Sequence, residues 1–271
     1  RIYLDMHPRA GKYSHAAMYE VRDGARGRQV PEAALVCNFP SPTATDMGLM
    51  TIDDVSTFFH EFGHLMHHIL GGQQRWAGIG GITMEADFWE APSQMLEELI
   101  HSPDVLARFA RHYQSGEPIP RELVERMNRA SAFGRAMWVQ RQLLYTAMSY
   151  DAHRVPAATI DPDAVWNQDA RQYTLVGVVP GTHQWASIGH LGGYSSQYYT
   201  YLWDKVIALD FYRQFNAANP LEGDTAMRYR RAVLDPGGSQ SANDLVKNFL
   251  GRPQDVTVLK DWIGAEFAPA K

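Results

Sequence analysis

His60-Glu61-Phe62-Gly63-His64 sits inside a helical apolar repeat, and that coincidence constrains the chain more than any other feature of its 271 residues. Val55, Phe58, Phe59, Phe62, Met66 and Ile69 recur at helix spacing, with Asp53 or Asp54 placed to cap the start and Gly71 and Gly72 to stop the end. Two histidines at i and i+4 share one face, about 40° apart on the helical wheel, so two imidazoles can hold one ion. Both lie about 160° from Phe62 on the core stripe, so the ligand face points away from the apolar contact. Glu61 projects beside that face, placed to take a proton from a metal-activated water.

A catalytic zinc takes three protein ligands and keeps one position open. The helical stretch downstream offers Glu85, Asp87, Glu90, Glu97 and Glu98 for the third. His68 continues the i, i+4 series but sits about 6 Å further along the axis from His64. A ligand from a separate helix closes a tetrahedron more readily, so His67 and His68 are expected to pack or to support the ligands. Glu97 or Glu98 is placed either to anchor a ligand histidine or on a solvated face.

A second cluster follows at Gly189-His190-Leu191-Gly192-Gly193-Tyr194 and runs on through Tyr198, Tyr199 and Tyr201 to Trp203. The glycines permit a loop with unusual backbone angles. Tyr194, Tyr198 and Tyr201 recur at i, i+4 and i+7, so a helix starting there shows three hydroxyls on one face, with Tyr199 turned toward the core. Alone, such a stripe reads as aromatic packing. Beside a metal motif, neutral O–H donors suit an oxyanion that forms during peptide hydrolysis.

The balance of 25 Lys+Arg against 30 Asp+Glu argues against a general nucleic-acid binder. The one cysteine, Cys37, has no internal disulfide partner, which points to a reducing, cytoplasmic setting. No apolar run reaches the roughly 18 residues of a membrane span. Residues 1–50 hold short apolar runs between turn-formers and predict a small antiparallel sheet. Residues 51–271 read as helical, with starts at Ser102-Pro103 and Asp161-Pro162, a long stretch from Glu122 to about Tyr150 broken at Gly134, and a late helix behind Ser239 or Ser241 that stops at Gly251. The expected fold is mainly α, one catalytic lobe with a β-rich element at its front.

His60 to His67, followed by Asp87-Phe88-Trp89-Glu90-Ala91-Pro92-Ser93-Gln94-Met95-Leu96-Glu97, resembles the M3 zinc metallopeptidases. That group holds thimet oligopeptidase and neurolysin, with bacterial oligopeptidases and dipeptidyl carboxypeptidases as relatives. Tyr3 to Arg9, Gly11 to Ala16 and Asp235 to Ser239 extend the likeness over essentially the whole chain, as the C-terminal part of a typical member. The resemblance implies a helical zincin lobe with one Zn2+ per chain, held by His60, His64 and Glu90, the glutamate before the small-Pro-Ser pair. It implies Glu61 as proton carrier, Tyr201 and His190 at the oxyanion, and Tyr194, Tyr198, Gly192 and Gly193 against the peptide. His190 stands four residues before Tyr194, one fewer than in the animal members.

The activity implied is a zinc endopeptidase acting on oligopeptides. Two alternatives remain: a zinc-binding lobe inactive without its N-terminal half, and a dipeptidyl carboxypeptidase. The last needs a cation for the free C-terminal carboxylate, for which Arg75, Arg135 and Arg141 are available. The start at Arg1 leads to the expectation that the helical N-terminal half, the opposite wall of a substrate channel, lies outside this sequence.

Overall fold

The computed structural model describes residues 1–267. Strands β1 (Ile2–Asp5), β2 (Ala17–Arg22) and β3 (Glu32–Val36) form one sheet in the order β1-β3-β2. β3 takes the middle because its side chains are the ones that bury: Ala33 and Leu35, like Cys37 just beyond the strand, have no exposure, and they pack with Phe39 against Leu65 of the following helix. The sheet is mixed, a correction to the expected antiparallel arrangement. β2 pairs antiparallel with β3, but β1 pairs parallel with it. The connection through residues 6–16 is long enough to skip one strand position, and apolar periodicity carries no record of strand order. β2 therefore sits at an edge, with its outer side unpaired by the sheet.

Helix α1 (Ile52–Gly71) carries the histidine motif. Its N-cap is Thr51, not Asp53 or Asp54: the Asp54 N–H donates to Thr51 Oγ1 at 3.1 Å, and the Thr51 N–H donates to Asp54 Oδ2 at 2.8 Å. This reciprocal pair satisfies two otherwise orphaned donors, and Asp53 and Asp54 both lie in the first turn, where negative charge suits the helix dipole.

Next come α2 (Ala91–Glu97), α3 (Pro103–Phe109) capped by Ser102, and α4 (Arg121–Ala132). Gly134, at φ +79°, separates α4 from α5 (Arg135–His153), so the long helical stretch divides where its glycine stands. Asp161 caps α6 (Pro162–Tyr173); α7 (His190–Gly193) is a single turn, and α8 (Thr200–Tyr212) is buried along most of its length. α9 (Gly223–Tyr229), α10 (Ala242–Leu250), capped by Ser241 and ended by Gly251, and α11 (Thr257–Gly264) complete the order.

Two contacts position the site. At Gly63 a Cβ would fall 2.6 Å from Ser93 Cα, so α1 and α2 touch backbone to backbone there and only glycine fits. α8 packs against α2 over a core of Phe88, Met95, Phe211, Val233, Leu245 and Phe249. A separate cluster of Leu144, Met148, Trp166 and Ala170 joins α5 to α6 and receives Trp185, Ile188 and Leu191 from the segment leading to the tyrosines. Among the described residues no helix is long and apolar enough to cross a membrane.

Candidate metal centre

His60 and His64 present their Nε2 atoms 3.2 Å apart on the face of α1. Glu90, the residue just before α2, turns Oε2 toward both, 3.1 Å from His60 Nε2 and 3.3 Å from His64 Nε2. Ligand atoms at about 2.0–2.1 Å from a tetrahedral ion lie about 3.3 Å from one another, which is the spacing found. Nitrogen and carboxylate oxygen atoms in such mutual contact need a proton or a cation among them, and two imidazoles with one carboxylate are a zinc-type donor set. The residues therefore fit the ion.

The electrostatics agree. Burial disfavours the charged form of His60, yet its hydrogen bonds to Glu90 and Glu97 outweigh burial and hold its pKa well above the usual histidine range. For Glu90, burial opposes ionisation, but His64 and His60 hold the carboxyl well below its ordinary value. The cluster is built to surround positive charge.

Two of the three ligands are held from behind, while His64 Nδ1 is buried without a partner. His60 Nδ1 donates to Glu97 Oε1 at 2.6 Å, which leaves Nε2 with its lone pair toward the ion position. Of the two candidate anchors it is Glu97 that takes this place; Glu98 accepts from Lys205 Nζ at 2.7 Å. The Glu90 N–H donates to Asp204 Oδ2 at 2.8 Å, Ser93 Oγ reaches Glu90 Oε2 at 3.3 Å, and Tyr194 OH donates to Glu90 Oε1 at 2.6 Å. His67 is fully buried with neither ring nitrogen partnered, and burial pulls its pKa down to about 3, so it is neutral packing. His68 joins Glu20 and Asp23 in a second group of ligand-type atoms, but both its nitrogens are engaged. Nδ1 meets Glu20 Oε1 at 3.2 Å and Nε2 meets the Arg22 carbonyl at 3.1 Å, which ties β2 to α1.

The centre opens into a cavity of about 810 Å³. Glu61 lines it beside His60, His64, Glu90 and Glu97; facing them are Gly189, His190, Gly193, Tyr194 and Tyr201, and Tyr13, His15 and Ala16 to Met18 form the β2 side. Tyr201 is ringed by Tyr194 at 5.2 Å, Tyr198 at 5.1 Å and His190 at 5.5 Å between centroids. Burial, then the charge of Glu90, raises the Tyr201 hydroxyl well above its usual range, so it stays a donor. Burial lowers the His190 pKa against the opposing pull of Glu90, so its ring is neutral near pH 7.

Three expectations about this wall change. The helix begins at Thr200, and residues 194–199 are turns with Ser196 at φ +59°, so the wheel drawn from Tyr194 does not apply. Tyr199, expected in the core, is 42% exposed and donates to Asp87 Oδ2 at 3.0 Å. Tyr198 is the buried one, packed at 5.5 Å against Tyr145, and neither it nor Gly192 lines the cavity. Sequence reasoning missed Tyr13 and His15 as wall residues, and Asp204 and Lys205 behind the ligands. The last two carried a signal: adjacent charges inside an otherwise apolar helix, Val206 to Leu209 following directly.

The comparisons with known proteins point one way. The model for Peptidase family M3 matches residues 1–264. The thimet-like oligopeptidase of Dictyostelium discoideum is 36% identical over 270 residues, covering 96% of this chain and 40% of that protein. The dipeptidyl carboxypeptidase of Escherichia coli is 32% identical over 260 residues, covering 93% of this chain and 38% of that protein. Among solved structures, a PZ peptidase A with an inhibitor superposes with a TM-score of 0.66 at 16% identity, over 96% of this chain and 43% of that one, a likeness of fold. The chain thus spans about two fifths of the length of these curated relatives.

Proposed function

The chain belongs to peptidase family M3, and from that premise we propose that it is the catalytic lobe of a zinc-dependent endopeptidase that hydrolyses short peptides. The observation that carries the reading is the convergence of His60, His64 and Glu90 at 3.1–3.3 Å on one wall of an open cavity. A zinc ion bound by these three residues supplies Lewis acidity and makes the attacking water more acidic.

The chain's own residues do the rest. Glu61, beside the ligands in the cavity wall, takes the proton of the attacking water and hands it to the leaving amine. Tyr201 donates its O–H to the developing oxyanion, with the neutral His190 ring beside it as a second donor. Tyr194 holds the Glu90 carboxylate and, with Gly193, borders the peptide. Glu97 fixes the tautomer of His60.

Endopeptidase action is favoured over dipeptidyl carboxypeptidase action by the lining of the cavity. It contains no Arg or Lys among the described residues. Arg135 lies over Trp262 at 4.3 Å and Arg75 over Trp76 at 5.2 Å, and neither they nor Arg141 line the cavity. Cleavage of a quenched fluorescent peptide in free-acid and C-terminally amidated forms, with and without chelator, tests the reading. Equal, chelator-sensitive cleavage of both forms is expected. Cleavage of the free acid alone establishes the dipeptidyl carboxypeptidase, and zinc binding without cleavage establishes a lobe that needs the rest of its protein.

A further inference from the structure

Lys205 is 7% exposed, a rare place for an ammonium group. Its Nζ donates to Glu98 Oε1 at 2.7 Å and faces Glu97 Oε2 at 4.0 Å. Trp262, itself covered by the Arg135 guanidinium, closes the remaining side with its ring centroid 5.7 Å from Nζ. Glu97 is thus clamped: one oxygen takes the His60 Nδ1–H at 2.6 Å, and the other looks onto the lysine. We propose that Lys205 is a positioning residue for the metal centre, fixing the Glu97 carboxylate in the place from which it orients His60. The proposal rests on the zinc reading of His60, His64 and Glu90.

The placement of α8 supports it. This helix grips the segment from Glu90 to Glu98 at three points: Asp204 takes the Glu90 N–H, the Tyr201 carbonyl accepts from Gln94 Nε2 at 3.0 Å, and Lys205 holds the far end. The first point sets the third ligand and the last sets the support of the first ligand. Tyr201 rises from the same helix into the cavity, so one element keeps ligands and oxyanion donor in register.

A purely structural part for Lys205 makes a different prediction. Buried ion pairs contribute little net stability when replaced by a well-packed neutral pair, so the doubly neutral Glu98→Gln/Lys205→Gln protein should melt near the parent in its metal-free form. Freed from its clamp, Glu97 then loses its fixed angle, and zinc affinity should fall by about 10–100-fold, the usual effect of disturbing a ligand's hydrogen-bonded support.

The experiment is a cycle of zinc dissociation constants on the full chain, measured by competition with a chromogenic chelator. Glu98→Gln alone leaves the ammonium facing Glu97 and should bind zinc within about threefold of the parent; adding Lys205→Gln should bring the loss. In a Glu97→Gln background the Lys205→Gln change should have no further effect, because the lysine acts through that carboxylate. Parental affinity in the folded Glu98→Gln/Lys205→Gln protein overturns the proposal, as does a lysine effect of equal size with and without Glu97. If the neutral pair does not fold, Lys205→Arg carries the same cycle: a change that vanishes in Glu97→Gln is expected, and no change or a persisting one overturns the proposal. A parent that takes up no zinc sinks the metal reading instead.

Discussion

The cavity has two unlike walls. One is α1 with the start of α2: a capped helix of 20 residues, crossed so closely that Gly63 meets Ser93 backbone to backbone, with two of the three proposed ligands, His60 and Glu90, anchored from behind. The other is the segment from His183 to Tyr199, made of turns and two four-residue helical pieces and resting on α5 and α6 through Trp185, Ile188 and Leu191, with Tyr201 following on the first turn of α8. The difference teaches a division of labour. A metal site tolerates little error in ligand angle and is built on regular, over-determined elements. The wall that meets the peptide is assembled from turns, where backbone angles are set one residue at a time.

If that division holds, damage to the two walls should separate in measurement. Tyr201→Phe, on the first turn of α8 beside the turn-borne wall, should reduce kcat by about 10²–10³-fold and leave zinc content at the parental level; unchanged turnover removes Tyr201 from the oxyanion. Tyr194→Phe crosses the boundary, since its hydroxyl is bonded to Glu90. It should weaken zinc binding by about 10–100-fold, and a loss of turnover at saturating zinc without a change in affinity would assign Tyr194 to the peptide alone.

Smaller effects probe stability. Gly63→Ala puts a Cβ 2.6 Å from Ser93 Cα, so the metal wall must spread; a loss of about 1–3 kcal/mol in denaturant unfolding is expected. On the supporting side of the other wall, Asp169 is buried with Oδ2 unpartnered, and burial, then the charge of Asp151, raises its pKa to about 6. The folded state therefore binds this proton more tightly than the unfolded chain does, and Asp169 destabilises the fold above pH 6. The penalty fades as pH falls from 6 toward the ordinary 3.8. Asp169→Asn should raise Tm at pH 7.5 by about 2–4 °C, with the gain gone at pH 4; a gain independent of pH would show that the carboxylate charge is not its cause.

The same contrast explains what the residues disclosed before any fold was seen. His60, Glu61 and His64 were readable because a helix has one period, whereas Glu90 was one of five acidic candidates and was singled out by the family resemblance. Gly134, Asp161 and Ser241 were readable as boundaries because their chemistry is local. The tyrosines were named but placed on a helix that starts only at Thr200, which exchanged the places of Tyr198 and Tyr199. The parallel pairing of β1 with β3, the Tyr194 bond to Glu90 and the clamp of Lys205 on Glu97 and Glu98 join residues 30 or more positions apart, and no periodicity encodes them.

The central claim is that holding the metal and moving the proton belong to different side chains of one helix. Zinc content and peptide turnover, measured together on Glu61→Gln, test it most directly. The account predicts about one zinc per chain with turnover lowered by at least about 10²–10⁴-fold. Zinc retained with turnover intact would contradict it.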